Sequence, residues 1–335
     1  MPAERAPRAV PPTVPSAAPA PGWVRPLGAT GLTVSALCLG GGPLGGMAQL
    51  FGYEISEGSA IELVREVFRS PINFIDTSNG YSNGASETRI GRAIAEEGGL
   101  PAGVLVETKV DPKGGDYSGD RVRRSVEESM ARLGLDHLPV VHLHDPEFHP
   151  FAELTAPGGA VDALIALRDE GLIGHLGVAG GDVHEIGRYV ELGVFELLLT
   201  HNRWSLVDRS AGPLIEAAAE RGMGVLNAAV HGGGILAKPH DGLTRYGYRE
   251  ASPATLAAIA DMAALAEEHG TDLAAVALAW SLRDSRIAST VVGFTKPERI
   301  GQLVAAASLD LPASFWARID ELVPAPENWL DHRAA

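Results

Sequence analysis

Four ionisable side chains in the first half of the chain each close an apolar run or sit just beyond one. Asp76 ends "INFID", and Tyr81 follows five residues later in the loop "TSNGYSNGAS". Lys109 ends "VLVETK", and His144 ends "PVVHLH". A phenol titrates near ~10 in water, so it exchanges protons poorly at neutral pH unless its pKa is lowered. A nearby ammonium favours the phenolate, and lowering it by ~3 units takes roughly 4 kcal/mol. Lys109 is the candidate source of that field. A lysine held charged away from water needs a carboxylate, and Asp76 is the candidate partner. His144 is then placed to orient a carbonyl oxygen beside the phenol. Together the four would make a general acid–base that exchanges a proton with a substrate oxygen. Singly, each has a plainer reading. A strand-end Asp caps a turn, a strand-end Lys reaches solvent, and a loop Tyr lies half-buried on the surface. Their recurrence at the ends of consecutive runs favours chemistry.

Only some folds gather such residues. Apolar strand-like runs alternate with helix-like runs from residue 36 almost to the end. "SALCLGGG" precedes a helical stretch at 57–69, "INFIDTS" one at 86–97, and "GVLVETKV" one at 119–133. "PVVHLH" precedes 158–171, "GHLGVAG" precedes 183–192, and "FELLLTH" precedes 210–222. "MGVLNAA" leads through a long loop, 229–252, to helical runs at 253–269 and 272–283, and "ASTVVGF" leads to 297–306. Eight βα units of this size predict an α/β chain folded as a (β/α)8 TIM barrel, with its active site at the C-terminal strand ends. The segment "WVRPLGATGLTVS" predicts an N-terminal β-hairpin with Gly31 in its turn. A doubly wound open sheet is the alternative. It would usually carry G-x-G-x-x-G after its first strand, whereas the loop here reads "GGGPLGGM".

The bulk properties bound the class. The chain has 335 residues, 45% hydrophobic and 21% charged, which is an ordinary globular composition. A formal charge of −15 argues against nucleic acid as a partner. One cysteine, Cys38, allows no disulfide within the chain, so a reducing, cytoplasmic location is expected. No run of 18 apolar residues exists, so no membrane-spanning helix is expected. Residues 1–22 are rich in Pro and Ala and read as a disordered tail, leaving 23–335 as a single barrel domain. Oligomeric state has no signature here.

The motifs resemble those of the aldo/keto reductase superfamily, from about Leu27 to Ala307. The tyrosine motif matches at Asp76–Thr77, Tyr81, Ser86–Glu87 and Gly91; "TK" matches at Thr108–Lys109 and "LHDP" at Leu143–Pro146. "RSVEESMARLGLD" is similar to the family's helix before the fourth strand. The resemblance implies a tetrad of Asp76, Tyr81, Lys109 and His144. It also implies metal-free hydride transfer between NAD or NADP and a small-molecule carbonyl, alcohol or sugar. The cofactor contacts it implies fall at Gly41, Gly42, Asp76, Ala179, Gly180, His201, Asn202, Ala229, Gly233, Gly293, Thr295 and Arg299. "RWSLVDRS", "GGGILA" and "YGYREASP" further resemble the branch of D-threo-aldose (L-fucose) 1-dehydrogenases; a general aldehyde or ketone reductase is the alternative. The chain departs from the family at Ser82, where Gly is common, at Ala179–Gly180 in place of Ser-Asn, and at His201 in place of Gln. "NAAVHGGG" has no aromatic where the family often stacks one on nicotinamide. NADP-dependent members often carry a lysine just after the last strand and an arginine six residues on. Here Arg299 is present but Gly293 stands at the lysine position, which favours NAD.

Two readings from other classes remain. His142 and His144 share a strand face, and with Asp145 and His201 could ligate a metal in a barrel hydrolase. A non-catalytic module that binds dinucleotide and regulates a partner is the third. Alternation also puts Glu107 and His142 inside the barrel, one layer below the four, where they would pair and support Lys109 and His144. Trp204, Tyr246, Tyr248, Phe51 and Tyr53 are candidate pocket linings.

Overall fold

The computed structural model describes residues 22–46 and 54–333. The expected tail at 1–22 lies outside the described residues except for Gly22, and so do Phe51 and Tyr53. A hairpin opens the fold, β1 (Val24–Pro26) against β2 (Thr33–Ser35). Its turn carries Gly28 and Gly31 at positive φ (59° and 79°), and Leu27 N–H closes it on Leu32 O at 2.9 Å.

Eight parallel strands then close a barrel: β3 (Leu37–Gly40), β4 (Phe74–Asp76), β5 (Leu105–Val110), β6 (Leu138–His144), β7 (Ile173–Gly180), β8 (Leu197–His201), β9 (Gly224–Ala228) and β12 (Ile287–Gly293). β12 pairs with β3 to complete the ring. The flanking helices are α1 (Glu57–Phe68), α2 (Ala85–Glu96), α3 (Gly119–Leu133), α5 (Ala160–Asp169), α6 (Val183–Glu191), α7 (Gly212–Glu220), α8 (Pro253–Glu268), α9 (Leu273–Arg283) and α10 (Glu298–Ala306). Their starts follow local chemistry. The Ser118 hydroxyl accepts Arg121 N–H at the head of α3, Ser252 accepts Thr255 N–H at α8, and Asp272 accepts Ala275 N–H at α9. α3 stops at Gly134, in the left-handed region at φ 69°.

The eight βα units match the expected barrel. Four details differ. β5 runs one residue past Lys109, to Val110. The loop 229–252 is not featureless: it holds a 3₁₀ turn at Gly232–Gly234 and a small hairpin, β10 (Arg245–Tyr246) with β11 (Arg249–Glu250). A one-turn helix, α4 (Phe151–Leu154), and a late helix, α11 (Ala313–Glu321), were not signalled by the βα alternation. Among the described residues, no helix is long and apolar enough to cross a membrane.

The register is what assembles a site. Asp76 stands beside Glu107, Lys109 beside His142, and His144 beside Ala179. The lower interior is apolar, packed from Leu27, Cys38, Phe74, Val140, Leu197 and Leu226. Above it the inward positions of β4, β5 and β6 turn polar, while a larger apolar layer fastens the helices to the outside of the strands.

Candidate active site

Lys109 is buried at the barrel mouth, with 1% of its side chain exposed. Its ammonium donates to Asp76 Oδ1 and to Thr77 O (2.8 Å), and lies 3.2 Å from the Tyr81 hydroxyl. The three hydrogens of an ammonium thus have three oxygens. Tyr81 begins the 3₁₀ turn Tyr81–Gly84, in which Ser82 and Asn83 sit at φ 51° and 54°. Ser82 therefore takes a left-handed conformation that glycine, common in the family at this place, would adopt without strain. The His144 ring stands edge-on to Tyr81, with centroids 5.7 Å apart. Asp76, Tyr81, Lys109 and His144 are thus brought together.

The electrostatics correct one expectation. Burial pushes the Tyr81 phenol well above its usual range; the Lys109 charge opposes this and does not prevail. The reason is visible in the contacts: Lys109 already spends its charge on Asp76. Tyr81 is a neutral phenol at neutral pH, suited to giving a proton. Burial disfavours the Lys109 ammonium, but Asp76 and the neighbouring oxygens outweigh it and keep lysine charged. Burial also disfavours the His144 imidazolium, yet the charges of Asp111 and Asp145 raise it above the ordinary histidine value.

Asp111 was not among the expected site residues, and it touches both halves of the site. Its Oδ1 accepts His144 Nδ1–H at 2.7 Å; its Oδ2 accepts Gly80 N–H at 2.6 Å and the Ser78 hydroxyl. A Cβ on Gly80 would come within 2.8 Å of Asp111 Cγ, so glycine lets the Tyr81 loop close on that carboxylate. Helix α3 secures the same loop from behind. Arg121 donates to Asn79 Oδ1 (3.1 Å) and to Asp111 O (3.1 Å), and grips Glu128 with both nitrogens. Arg132 donates to Asn79 O and to buried Glu87, which also accepts the Thr108 hydroxyl at 2.6 Å.

One layer below, the expected pair is present. Glu107 Oε2 and His142 Nε2 are 3.0 Å apart, both side chains fully buried. Gly177, the register neighbour of His142, makes room for the imidazole; a Cβ there would overlap the ring.

The expected cofactor residues ring the mouth. Gly41 follows β3, with its N–H on Asp76 O at 2.7 Å, and Gly42 opens a buried 3₁₀ turn. Ala179 and Gly180 end β7, and Glu147 packs over Gly180 while its Oε1 accepts Gly181 N–H at 2.6 Å. His201 ends β8, followed by Asn202 at φ 60°. Ala229 follows β9 at φ 57°, and Gly233 lies exposed on the turn beyond. Gly293 ends β12, with Thr295 and Arg299 past it; Arg299 donates to Gln302 at 2.7 Å. Of the aromatic candidates among the described residues, Tyr248 is the one at the mouth, 53% exposed and 6.3 Å from the His201 ring. Trp204 instead stacks on Trp280 and donates to Asp284, and Tyr246 is buried with its hydroxyl on Asn202 O. These two serve packing, because each ring finds its polar partner inside the fold.

The four-residue metal reading separates in space. His142 is taken by Glu107 and His144 by Asp111. Among the described residues one group, Asp145, Glu147 and His201, brings ligand-capable atoms within 4.8 Å. His201 Nδ1 receives Asn202 Nδ2–H at 3.0 Å, so the neutral ring carries its proton on Nε2, with Asp145 Oδ1 3.9 Å away, beyond hydrogen-bond reach. The C-terminal segment closes this side: Asp331 binds Arg203 with both oxygens (3.0 and 3.1 Å) and accepts Val183 N–H at 3.0 Å.

The aldo/keto reductase family model matches residues 36–324. The chain is 31% identical over 293 residues to the L-galactose dehydrogenase of Arabidopsis thaliana, covering 85% of this chain and 88% of the relative. It is 28% identical over 328 residues to the D-threo-aldose 1-dehydrogenase of a Pseudomonas species, covering 89% and 97%. A solved structure assigned to the aldo-keto reductases, from Pseudomonas aeruginosa, superposes with a TM-score of 0.62 at 25% identity, over 86% of this chain and 94% of that one.

Proposed function

The chain belongs to the aldo/keto reductase family, and from that premise we propose that it exchanges hydride between a nicotinamide dinucleotide and the anomeric carbon of a sugar lactol. It is an oxidoreductase. Two sugar dehydrogenases among its relatives support the finer reading, as do the site residues. The observation that carries it is the contact chain Asp76–Lys109–Tyr81, with His144 edge-on at the same mouth.

In this reading the dinucleotide supplies or accepts the hydride. The residues around it fit a carboxamide-bearing ring: Glu147 Oε2 and Asn202 Oδ1 are buried acceptors with no partner among the described residues, just past the ends of the strands that flank β7. Gly233 and Gly293 expose backbone at the mouth, Ala229 is half-buried, Gly41 and Gly42 lie buried after β3, and Thr295 and Arg299 follow β12. Arg299 is the lone expected cation at the cofactor end, so NAD is favoured over NADP.

Tyr81 moves the proton. In reduction the O–H bond of Tyr81 breaks toward the carbonyl oxygen as hydride reaches the carbon; oxidation runs from the phenolate, after Tyr81 has lost its own proton to solvent, and the anomeric hydroxyl gives its proton to that oxygen as hydride leaves the carbon. Lys109, 3.2 Å away, stabilises the phenolate on either path. Asp76 keeps Lys109 charged, and His144 orients the substrate oxygen.

A specific observation favours a second reading, carbonyl reduction. Tyr81 holds its proton and His144 is raised toward its charged form, so at neutral pH the mouth is loaded to donate protons. A panel of aldoses, aldehydes and ketones with NAD, NADP and their reduced forms, followed by nicotinamide absorbance, separates the two. Aldose oxidation with no aldehyde reduction supports the first. No turnover with any member would reject both.

A further inference from the structure

We propose that Asp111 is a positioning residue that holds His144 in its proton-bearing form and ties that state to the seating of the Tyr81 loop. The proposal rests on the reading of Tyr81 and His144 as the proton-handling groups. Asp111 lies immediately past β5, and its backbone is fixed on both sides: its N–H donates to Ser125 Oγ (3.2 Å), and its carbonyl accepts Arg121 Nε–H (3.1 Å). Its carboxylate is nearly sealed, with 15% of the side chain exposed. Each oxygen has a separate task. Oδ1 accepts His144 Nδ1–H at 2.7 Å; Oδ2 accepts the N–H of Gly80, the residue before Tyr81, and the Ser78 hydroxyl. Ser78 Oγ is itself 3.2 Å from His144 Nδ1, which closes the network.

This geometry settles what His144 can do. With Nδ1–H committed to Asp111, a neutral ring presents a bare Nε2 lone pair to the mouth. It can then accept a proton or a hydrogen bond but cannot donate one to a carbonyl oxygen. Only the imidazolium has N–H on both sides. A carboxylate at 2.7 Å favours that form. Burial pulls the Asp111 carboxyl upward, but His144, Ser78 and Gly80 bring it down to about 2, so it is charged at neutral pH. The other groups facing His144 are Lys109 from β5, Tyr81 from the loop after β4, His142 and Asp145 on its own strand and its extension, and His201 from β8. Lys109 and Asp145 act in opposite directions on His144, and Asp145 Oδ1 is 3.9 Å from Nε2, so among the described residues Asp111 is the one carboxylate in hydrogen-bond contact.

The consequence is a site whose carbonyl-reducing form persists to higher pH than a free histidine allows, and loses rate as His144 gives up its proton. Asp111→Asn keeps the shape and one acceptor but removes the charge. Nuclear magnetic resonance of the His144 ring should show wild-type titration above ~6.5 and a downward shift of ~1 unit or more in Asp111→Asn. The alkaline limb of reductive kcat/KM should move down by the same amount, for a loss of ~10-fold or more on its alkaline side and little on its acid side. If Asp111→Asn does not fold, Ser78→Ala should shift the titration in the same direction by less. An unchanged His144 titration in a folded Asp111→Asn overturns the proposal, whatever happens to thermal stability. A wild type without carbonyl turnover would remove the functional reading instead, and the ring titration would still decide whether Asp111 holds the proton on His144.

Discussion

Glu107 Oε2 lies 3.0 Å from His142 Nε2 with both side chains fully removed from water. Burial raises the glutamic acid from an ordinary 4.5 to about 8 and lowers the histidine from 6.5 to about 3, so at neutral pH the pair holds one dissociable proton and no net charge. That is the least costly state for two such groups beneath an already charged Asp76–Lys109 pair.

Stability should therefore depend on pH in a specific way. Glu107 binds its proton more tightly when folded, so its contribution is full below 4.5 and is lost as pH rises through about 8. His142 binds its proton less tightly when folded, so its contribution is full above 6.5 and is lost as pH falls through about 3. Their slopes cancel between 4.5 and 6.5 and leave a fall from 6.5 to 8, of at most ~1.4 kcal/mol per pH unit from Glu107. His144, raised above 6.5, adds to the same fall. Glu107→Gln should make that alkaline fall shallower. Urea unfolding at a series of pH values measures it; equal slopes in both proteins would mean Glu107 is ionised throughout.

Tyr81→Phe removes the proton that the mouth exchanges with substrate oxygen. Turnover should fall by ~10²- to 10⁴-fold. Dinucleotide affinity should change by no more than about 2-fold, since the lost hydroxyl contacts Lys109 rather than the expected cofactor residues. Stopped-flow turnover and fluorescence titration read the two quantities separately. A variant with near-normal turnover would take Tyr81 out of the reaction.

Lys109→Met acts differently. It leaves Asp76 charged, buried and unpaired, a defect worth ~3–5 kcal/mol of stability. It also removes the Lys109 charge that opposes the upward shift of Tyr81. Activity and thermal midpoint should both drop, and adding Asp76→Asn should restore much of the midpoint but none of the activity. Restored activity in the double variant would show that the pair serves stability alone.

Much of this was legible in the residue pattern, and the failures have physical causes. The period of βα alternation revealed the barrel, and strand alternation placed Glu107 and His142 on one inner layer, because both follow from backbone geometry. Asp111 was passed over because it sits at the head of "DPKGG", where an acid reads as a turn residue. Its role depends on a side chain turning back to His144, 33 residues away, and to Gly80, 31 residues away. The Asp331–Arg203 contact spans 128 residues and carries no local signal. The Tyr81 shift was misjudged in sign because burial of the phenol was not weighed against the field of Lys109, and Asp76 beside that lysine adds to the upward push. Trp204 and Tyr246 looked like pocket linings since aromatic type alone does not say which side of a loop a ring takes.

Cofactor choice turns on the last strand exit. Gly293 ends β12, and a Cβ there would press on Pro43 Cγ at 2.9 Å, so this position carries no side chain and could not take a lysine without displacing that proline. The nearby cations are Lys296, exposed in the loop, and Arg299, in the first turn of α10, with Glu298 opposing them at the helix start. Arg299 already donates to Gln302 at 2.7 Å, so gripping a 2′-phosphate means exchanging that bond. One free charge-assisted contact is worth roughly 1.5–3 kcal/mol, and lacking a second should cost NADP ~10- to 100-fold relative to NAD. Arg299→Ala should leave NAD affinity within about 2-fold of wild type and weaken NADP by a further ~10-fold. NADP affinity should also fall more steeply than NAD affinity as salt is raised, because only the phosphate adds exposed charge. Fluorescence titrations of both cofactors at two ionic strengths test all three statements. Tighter binding of NADP than NAD by wild type would mean that Lys296 and Arg299 close on the phosphate together, and the NAD preference would be wrong.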